Sequence, residues 1–197
     1  MNGVSTREIG RAAVRDELAA VGLQGFLESG FDAVTFDDLA RRAGVSRSTY
    51  LRYFGSKEDV VLCVFDALGP QMAEALTDQA SISDDWAALR HAVEPGVTLL
   101  TADAAFELSR LRLVWTTPSL WARLHEKQET WRPRLVELLA ERRPESAVPI
   151  IALRTRVMAA LGCLMVAYDA WIESDGLESL DDLLDQAFAS LTGDDQE

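Results

Sequence analysis

Five basic residues stand within a short stretch near the N-terminus that holds no acidic residue. The stretch runs from Arg41 to Lys57 and also contains Arg42, Arg47 and Arg52. Such side chains bind phosphate groups, and an arginine can donate two hydrogen bonds to the O6 and N7 atoms of guanine. Most charge runs are solvated surfaces, so the surrounding residues must decide between a solvated surface and a DNA-binding one.

The net charge of the chain, −13, argues against DNA binding, because lysine and arginine normally supply much of the affinity for phosphate. The distribution of charge changes this interpretation. Residues 1–60 carry eight basic and nine acidic side chains, a net charge of −1, and the rest carries eleven basic against twenty-three acidic, a net charge of −12. The excess acid is therefore C-terminal to the basic stretch.

The residues around the basic stretch predict short helices that are joined by tight turns. Apolar residues at helical spacing predict a first helix over about 8–29. Thr35 begins a second helix, because its hydroxyl can accept hydrogen bonds from the free N–H groups of a first turn. Gly44 ends that helix in a turn, and Ser46 caps a third helix over about 47–53.

Gly22 and Gly25 lie inside the first predicted helix. Each costs ~1 kcal/mol relative to alanine in a helix. We therefore expect either that this helix is weak on its own or that another element packs closely against it at these positions.

A second and third helix of this size, separated by Ala43-Gly44-Val45-Ser46, are typical of a helix-turn-helix. In such a unit the later helix enters the major groove, and the residues at its start reach the base edges. Arg47 is suited to guanine, and Lys57 lies at a helix start, where a cation and backbone N–H groups can face a phosphate. Leu51 and Phe54 are predicted to point inward. Further hydroxyl groups for bases or phosphates come from Ser48, Thr49, Tyr50 and Tyr53.

The stretch from Gly30 to Asp59, GFDAVTFDDLARRAGVSRSTYLRYFGSKED, resembles the DNA-binding signature of the TetR family in residue types and in spacing. The resemblance implies an all-helical homodimer, usually a repressor, whose larger C-terminal domain binds an effector and dimerises through the last two helices. The matching residues are Gly30-Phe31, Thr35, Asp38-Leu39-Ala40, Ala43-Gly44-Val45-Ser46, Thr49, Tyr53-Phe54 and Ser56-Lys57. The positions at which the resemblance implies DNA contacts are Thr35, Arg47, Ser48, Thr49, Tyr53 and Lys57.

The order of two residues departs from the family pattern. Family members usually have leucine and then tyrosine after the threonine that corresponds to Thr49, whereas this chain has Tyr50 and then Leu51. The usual tyrosine contact to the DNA backbone is therefore either missing or supplied by Tyr50. With Tyr50 and Arg52 included, the predicted DNA-binding residues are Thr35, Arg47, Ser48, Thr49, Tyr50, Arg52, Tyr53 and Lys57.

Helical periodicity continues to the end of the chain, without the alternating pattern that would indicate strands. We predict an all-α protein of about nine helices, with a DNA-binding domain over 1–56 and an effector-binding and dimerisation domain over 57–197. The fourth helix opens after Ser56 and would bend or break at Gly69-Pro70. Later helices are predicted over about 84–102, 104–116, 119–142, 147–174 and 178–192.

Aromatic and apolar residues of the predicted C-terminal domain could line a ligand cavity, because small-molecule sites are mostly apolar. An ordinary core is the favoured interpretation for each residue taken singly, while the family resemblance implies a cavity within this domain. Tryptophans at positions 86, 115, 121 and 131 point to a bulky apolar or amphipathic ligand. The residues that we predict to bind it are Trp86, Phe106, Leu111, Trp115, Trp121, Met165 and Tyr168.

Two apolar stripes lie in the last two predicted helices. They could close the core of the chain, or they could form the dimer interface that the resemblance implies. The first stripe is Ile151, Met158, Leu161, Met165 and Tyr168, and the second is Leu177, Leu180, Leu183, Leu184, Phe188 and Leu191.

Catalysis is not predicted, because no Ser-His-Asp order, phosphate loop or dinucleotide fingerprint occurs. His91 and His125 are isolated, and Cys63 and Cys163 lie in apolar runs, so we expect no metal, cofactor or disulfide. The longest apolar stretch, Met158 to Trp171, is too short to span a bilayer, and we expect a cytoplasmic protein without a membrane partner. Two other functions stay open: a helical ligand-binding protein with an activating or indirect role at DNA, and an all-α enzyme.

Overall fold

The computed structural model of the chain describes residues 5–78, 82, 84–142 and 148–192. In these ranges the chain forms helices and turns and no strand, which confirms the all-α prediction. A short 3-10 helix, Cys63–Phe65, lies between the fourth and fifth α-helices. The α-helices are α1 (Thr6–Ser29), α2 (Phe36–Arg42), α3 (Arg47–Leu51), α4 (Lys57–Leu62), α5 (Leu68–Asp78), α6 (Asp85–Ala92), α7 (Glu94–Thr101), α8 (Ala104–Thr116), α9 (Pro118–Glu141), α10 (Ile150–Glu173) and α11 (Leu180–Ala189).

Two of the predicted helices are interrupted. The fourth helix breaks at Cys63–Phe65. The sequence predicted this break later in the chain, at Gly69-Pro70. Gly69-Pro70 instead lies in the first turn of α5, where proline is tolerated because the first N–H groups of a helix have no internal partner. The predicted helix over 84–102 divides at Val93, and Pro95 lies in the first turn of the new helix. If each interrupted pair is counted as one helix, the described residues contain nine, as predicted.

The helices form two compact units. The helix-turn-helix unit contains residues 5–64 and 112–124, so that α1 to α4 are joined by the adjoining ends of α8 and α9. The C-terminal unit contains residues 65–111 and the described residues after 124. The predicted domain boundary after residue 56 stays a prediction; α4, which follows it, packs against α1 in the helix-turn-helix unit.

Side chains from α1 to α4 fill the core of the helix-turn-helix unit. α1 packs against both α2 and α4, and burial of each large apolar side chain between them contributes roughly 1.5–3 kcal/mol. Of the described side chains before Leu18, none is buried, so the second half of α1 supports the other helices. Core residues with almost no exposed surface include Leu23, Phe26, Leu39, Phe54 and Val60.

α10 and α11 form the most extensively packed helix pair of the C-terminal unit. α10 has 24 residues and, like the run Lys57–Asp78, is long and apolar enough to cross a membrane by length and composition alone. The apolar stretch from Met158 to Trp171, on which the membrane prediction rested, therefore covers only part of α10. Nine of the 24 α10 residues are buried inside the protein.

Candidate nucleic-acid interface

Two capped helices and a glycine turn build the helix-turn-helix. The Thr35 hydroxyl accepts a hydrogen bond from the Asp38 N–H (3.3 Å), and the Asp38 carboxylate accepts one from the Thr35 N–H (3.0 Å), which completes a capping box at the start of α2. Gly44 follows α2 with a φ of +66°, which glycine adopts without strain. Ser46 then accepts from the Thr49 N–H (3.1 Å) and begins α3. The predicted starts of both helices are confirmed.

α3 presents three of the predicted DNA-binding side chains, Arg47, Ser48 and Arg52, in exposed positions. The first two stand in its opening turn, and Arg52 caps its end. Thr49 is half-buried, and its hydroxyl shares a hydrogen bond of 2.9 Å with the Ser46 hydroxyl. The first turn of α3, which in a helix-turn-helix meets the base edges, thus offers a guanidinium and a hydroxyl group.

The prediction that Tyr50 contacts DNA is wrong. Its side chain is fully buried, and its hydroxyl donates to the Leu18 carbonyl oxygen of α1 (3.0 Å). Burial raises the pKa of the Tyr50 phenol well above its usual value, so the group stays a neutral donor. Leu51, which was predicted to point inward, is exposed instead, while Phe54 is buried as predicted. Successive helix residues are about 100° apart, so Tyr50 and Leu51 cannot both face α1.

Gly22 and Gly25 of α1 are sites of close packing, one of the two alternatives that the sequence suggested. A Cβ atom added at Gly22 would lie 2.5 Å from Tyr50 Oη and 2.6 Å from Val60 Cγ1. One added at Gly25 would lie 3.2 Å from Arg42 Cδ. Gly22 therefore provides the space that the Tyr50 phenol occupies.

Tyr53 is half-buried and is contacted by arginines from two helices. The Arg11 guanidinium of α1 lies 6.0 Å from the centre of its ring, and that of Arg52 lies 5.6 Å from it. Arg15, one turn after Arg11, lies 5.6 Å from the centre of the Phe54 ring. The sequence reasoning missed these α1 arginines. The available signal was a basic residue at every fourth position from Arg7, a spacing that places side chains on one helix face.

Lys57 holds the turn between α1 and α2. Its ammonium group donates to the carbonyl oxygens of Phe31 (2.8 Å) and Val34 (3.1 Å) and lies 4.7 Å from the Phe31 ring centre. Two of its three N–H donors are therefore engaged, and a phosphate contact would use the third. The predicted phosphate contact of Lys57 stays a prediction.

The basic stretch is free of acids in sequence but not in space. Its arginines pair with acidic residues that lie outside the stretch, and these exposed pairs are worth ~0–1 kcal/mol each. Hydrogen bonds from Thr35, and then the nearby Arg41, lower the pKa of Asp38 to about 2. The ion pairs are Arg41–Asp38 (2.9 Å), Arg42–Glu28 and Arg47–Asp37 (3.4 Å).

The seven predicted effector residues are divided between the two units. Trp115 and Trp121, whose ring centres are 4.6 Å apart, belong to the helix-turn-helix unit, and the other five belong to the C-terminal unit. Trp86 packs against α11, with its ring centre 4.5 Å from that of a phenylalanine. Leu111 and Tyr168 are buried, which agrees with the competing interpretation as core residues. The ligand-binding role of the seven stays a prediction.

Buried polar groups lie beside the two remaining predicted effector residues. Glu107 and Arg110 of α8 form two hydrogen bonds (2.7 and 3.1 Å), and the guanidinium lies 5.4 Å from the centre of the Phe106 ring. Gln128 of α9 is buried and donates to Met165 Sδ (2.7 Å). The sequence reasoning missed these groups, and only the three-residue spacing of Glu107 and Arg110 signalled an ion pair. A few such groups orient ligands in apolar sites.

Two surface grooves open in the described part of the C-terminal unit. One, of about 500 Å³, lies among α5, α6 and α7, and the other, of about 410 Å³, lies among α7, α10 and α11. The larger is lined by the polar residues Glu74, His91 and Glu94 together with apolar residues such as Leu99. The predicted effector residues line neither groove.

The two predicted apolar stripes have different environments. Leu180, Leu183, Leu184 and Phe188 of α11 are buried inside the protein. On α10, by contrast, Ile151, Met158 and Val166 recur at helical spacing and are 72%, 53% and 62% exposed. Leu161 and Tyr168, which were assigned to the same stripe, are buried. Leu177 and Leu191, which were assigned to the second stripe, are 88% and 60% exposed. Only the four buried α11 residues therefore close the core, and α10 presents an exposed apolar face.

Family models match both parts of the chain. The model described as bacterial regulatory proteins of the tetR family matches residues 18–64, which include α2, α3 and α4. The model described as the MftR C-terminal domain matches residues 83–195, more than half of the chain. Both matches are to families of regulators and not of enzymes.

Individual relatives agree with these matches. MftR of Mycobacterium tuberculosis, named as a mycofactocin biosynthesis transcriptional regulator, is 27% identical over 178 residues, which cover 90% of this chain and 89% of MftR. The transcriptional regulator TcmR of Streptomyces glaucescens is 28% identical over 205 residues, with 95% and 90% covered.

Solved structures share the fold. FadR of Bacillus halodurans, a fatty acid degradation regulator, matches with a TM-score of 0.63 at 22% identity, covering 93% of this chain and 97% of FadR. FadR of Bacillus subtilis, in complex with stearoyl-CoA, matches with a TM-score of 0.60 at 19% identity, covering 90% and 97%. The predicted architecture, a helix-turn-helix followed by a helical C-terminal part, is confirmed.

Proposed function

Since this chain belongs to the TetR family of bacterial transcriptional regulators, we propose that it is a repressor that binds an inverted-repeat operator as a homodimer. A small molecule bound by the C-terminal unit releases it from DNA. The observation that carries the proposal is the exposure of Arg47, Ser48 and Arg52 on α3, the helix that follows the turn. A protein with this role acts in the cytoplasm.

The proposed DNA contacts divide into base-reading and phosphate-binding residues. Arg47 reads guanine through two hydrogen bonds, because its exposed pair with Asp37 is weak enough to be exchanged for a base. The remaining contacts position the unit on the DNA backbone, and Arg11 extends this surface along α1. The backbone contacts come from Thr35, Ser48, Thr49, Arg52, Tyr53 and Lys57.

The exposed apolar face of α10 supports the proposed homodimer. Three large apolar side chains at helical spacing lie open to solvent there. Pairing of this face with the same face of a second copy would bury them. Two copies related by a two-fold axis place their α3 helices in successive major grooves, about 34–36 Å apart, which requires an operator with inverted repeats.

We propose an apolar or amphipathic effector. The FadR relative that binds stearoyl-CoA shares only the fold, but the tryptophan-rich composition and the buried polar groups Arg110 and Gln128 suit a ligand of that class. The effector releases DNA only if it binds the DNA-free form more tightly, because a ligand shifts an equilibrium by its differential affinity.

Selection of duplexes from a random pool with the full-length dimer tests the proposal. An inverted repeat should be enriched, and Arg47→Ala should weaken the selected site by ~1–3 kcal/mol and relax base preference at one position. Arg134→Ala serves as the control, because it removes the same charge from an exposed position in the C-terminal unit. If the protein binds no duplex more tightly than random DNA at low salt, the repressor function is wrong.

A second measurement tests the dimer separately from DNA binding. Met158→Glu places a charge on the exposed face of α10 and should shift the chain from dimer to monomer in light scattering. Glu173→Gln, at the end of the same helix, should leave the dimer intact. A Met158→Glu variant that stays dimeric would show that the chain pairs through another surface.

A further inference from the structure

We propose that Leu51 reads thymine in the operator through the 5-methyl group of the base. The inference rests on the proposed operator binding and adds a specificity-determining residue to it. It contradicts the inward orientation that the sequence predicts for Leu51, and it follows from the side of α3 on which the structure places this residue.

Leu51 lies within the polar surface of α3. It is 37% exposed, and it follows Arg47 by four residues and Ser48 by three, so the three side chains share one helix face. Arg52, the next residue, is also exposed. Exposure of an apolar side chain to water at this position does not stabilise the protein. The major groove does offer an apolar partner, because the thymine methyl is the one apolar group on its base edges.

The packing of Tyr50 fixes this orientation. The Tyr50 phenol fills the space left by Gly22 and donates to the Leu18 carbonyl oxygen, so rotation of α3 about its axis would break a buried hydrogen bond. Leu51 is therefore held outward by its neighbour. Without a hydroxyl group, Leu51 cannot bond to a phosphate, and only an apolar contact is open to it.

The position on α3 predicts where the thymine lies. Four residues of helix rise about 6 Å, and base pairs are about 3.4 Å apart. The thymine should therefore lie within about two base pairs of the base that Arg47 reads, once in each half-site.

Deoxyuridine substitution tests this inference, because uracil differs from thymine only in lacking the methyl group. Each thymine of the selected operator is replaced in turn, in both half-sites, and the dissociation constant of the full-length protein is measured by fluorescence anisotropy. One position should weaken binding about four-fold per half-site, the factor that corresponds to ~0.8 kcal/mol for one buried methyl-sized group.

The variants assign that effect to Leu51. Leu51→Ala should abolish the sensitivity at that one position, and Leu51→Met, which keeps a flexible apolar side chain, should retain it. The control is Leu27→Ala, which removes a comparably exposed leucine (41%) from α1 and should leave the whole profile unchanged. Thermal unfolding followed by circular dichroism confirms that each variant is folded.

The possible failures are distinguishable. If an operator is bound but no thymine is sensitive, or if Leu51→Ala keeps the wild-type profile, Leu51 does not read thymine and the repressor function stands. If no duplex is bound specifically, the proposed function fails and the inference fails with it.

Discussion

Replacement of Gly22 by alanine tests whether the Tyr50 phenol sets the orientation of α3. The new Cβ atom would lie 2.5 Å from Tyr50 Oη and 2.6 Å from Val60 Cγ1, and both side chains are fully buried. These distances are too short for any stable contact. Either Tyr50 leaves its position and loses the hydrogen bond to Leu18, or the helices move apart.

Three effects determine the size of the change. Alanine is better than glycine in a helix by ~1 kcal/mol, which stabilises the variant. Overpacking of a tight core costs ~1–3 kcal/mol, and a displaced Tyr50 loses a buried hydrogen bond at a cost of ~1–3 kcal/mol. We expect Gly22→Ala to lower the free energy of unfolding by about 1–5 kcal/mol.

Urea unfolding followed by circular dichroism, at one fixed protein concentration, measures this change. The matched control is Gly10→Ala, because Gly10 lies in the same helix and its added Cβ would meet no atom within 4 Å. Gly10→Ala should therefore stabilise the protein by up to ~1 kcal/mol. In a Tyr50→Leu background the cost of Gly22→Ala should shrink, because residues in contact are energetically coupled. If Gly22→Ala stabilises the protein as much as Gly10→Ala does, the packing argument is refuted.

Three further variants test individual contacts. The pKa of Asp38 is lowered to about 2. Its capping bonds therefore stabilise the folded state fully above about pH 4, and this stabilisation is lost as the pH falls through 2. Asp38→Asn should remove this pH-dependent step from the urea midpoints measured between about pH 5 and 2. Lys57→Met removes the hydrogen bonds to the Phe31 and Val34 carbonyls and should lower the free energy of unfolding by about 2 kcal/mol. If stability is unchanged and only the salt dependence of DNA binding becomes smaller, Lys57 is a phosphate contact alone. Asp85 is buried and pairs with Arg156 (3.0 Å) and Arg142 (3.8 Å), so Asp85→Ala should cost about 3 kcal/mol, and the exposed Asp181→Ala less than about 1; equal losses would contradict a buried ion pair.

The starts of the helices were predictable from sequence because capping is local. Thr35 and Ser46 each bond to an N–H group three residues later, so their effect depends on no distant residue. The glycine turn at Gly44 is local in the same sense. Breaks in longer helices were less predictable, and the chain changes to a 3-10 turn at Cys63–Phe65 without proline or glycine.

The side of α3 that faces α1 was not predictable, because it depends on a residue 28 positions away from Tyr50. Tyr50 and Leu51 are neighbours in sequence, and either could face the core. Gly22 decides between them by leaving room for a ring. The cost of glycine in a helix did signal that something packs there, but it did not identify the partner.

The ligand site was the least predictable feature. Core residues and cavity residues have the same apolar composition, and the sequence distinguishes them only after the helices are packed. Trp115 and Trp121 illustrate this, because they lie in the helix-turn-helix unit although their segment follows the C-terminal helices α5 to α7.

The close approach of Gly22 and Tyr50 also constrains the order in which the two positions can change during evolution. A chain with alanine at 22 and leucine at 50 can lose the methyl group first, at the modest cost of a helical glycine. Gain of the tyrosine first would destabilise the chain, because the ring and the methyl group would compete for the same volume. Once both changes have occurred, reversion of Gly22 to alanine while Tyr50 remains would carry the stability loss expected for Gly22→Ala. The stability cost of replacing Gly22 while Tyr50 is present therefore keeps Tyr50 inward and Leu51 on the outer side of α3.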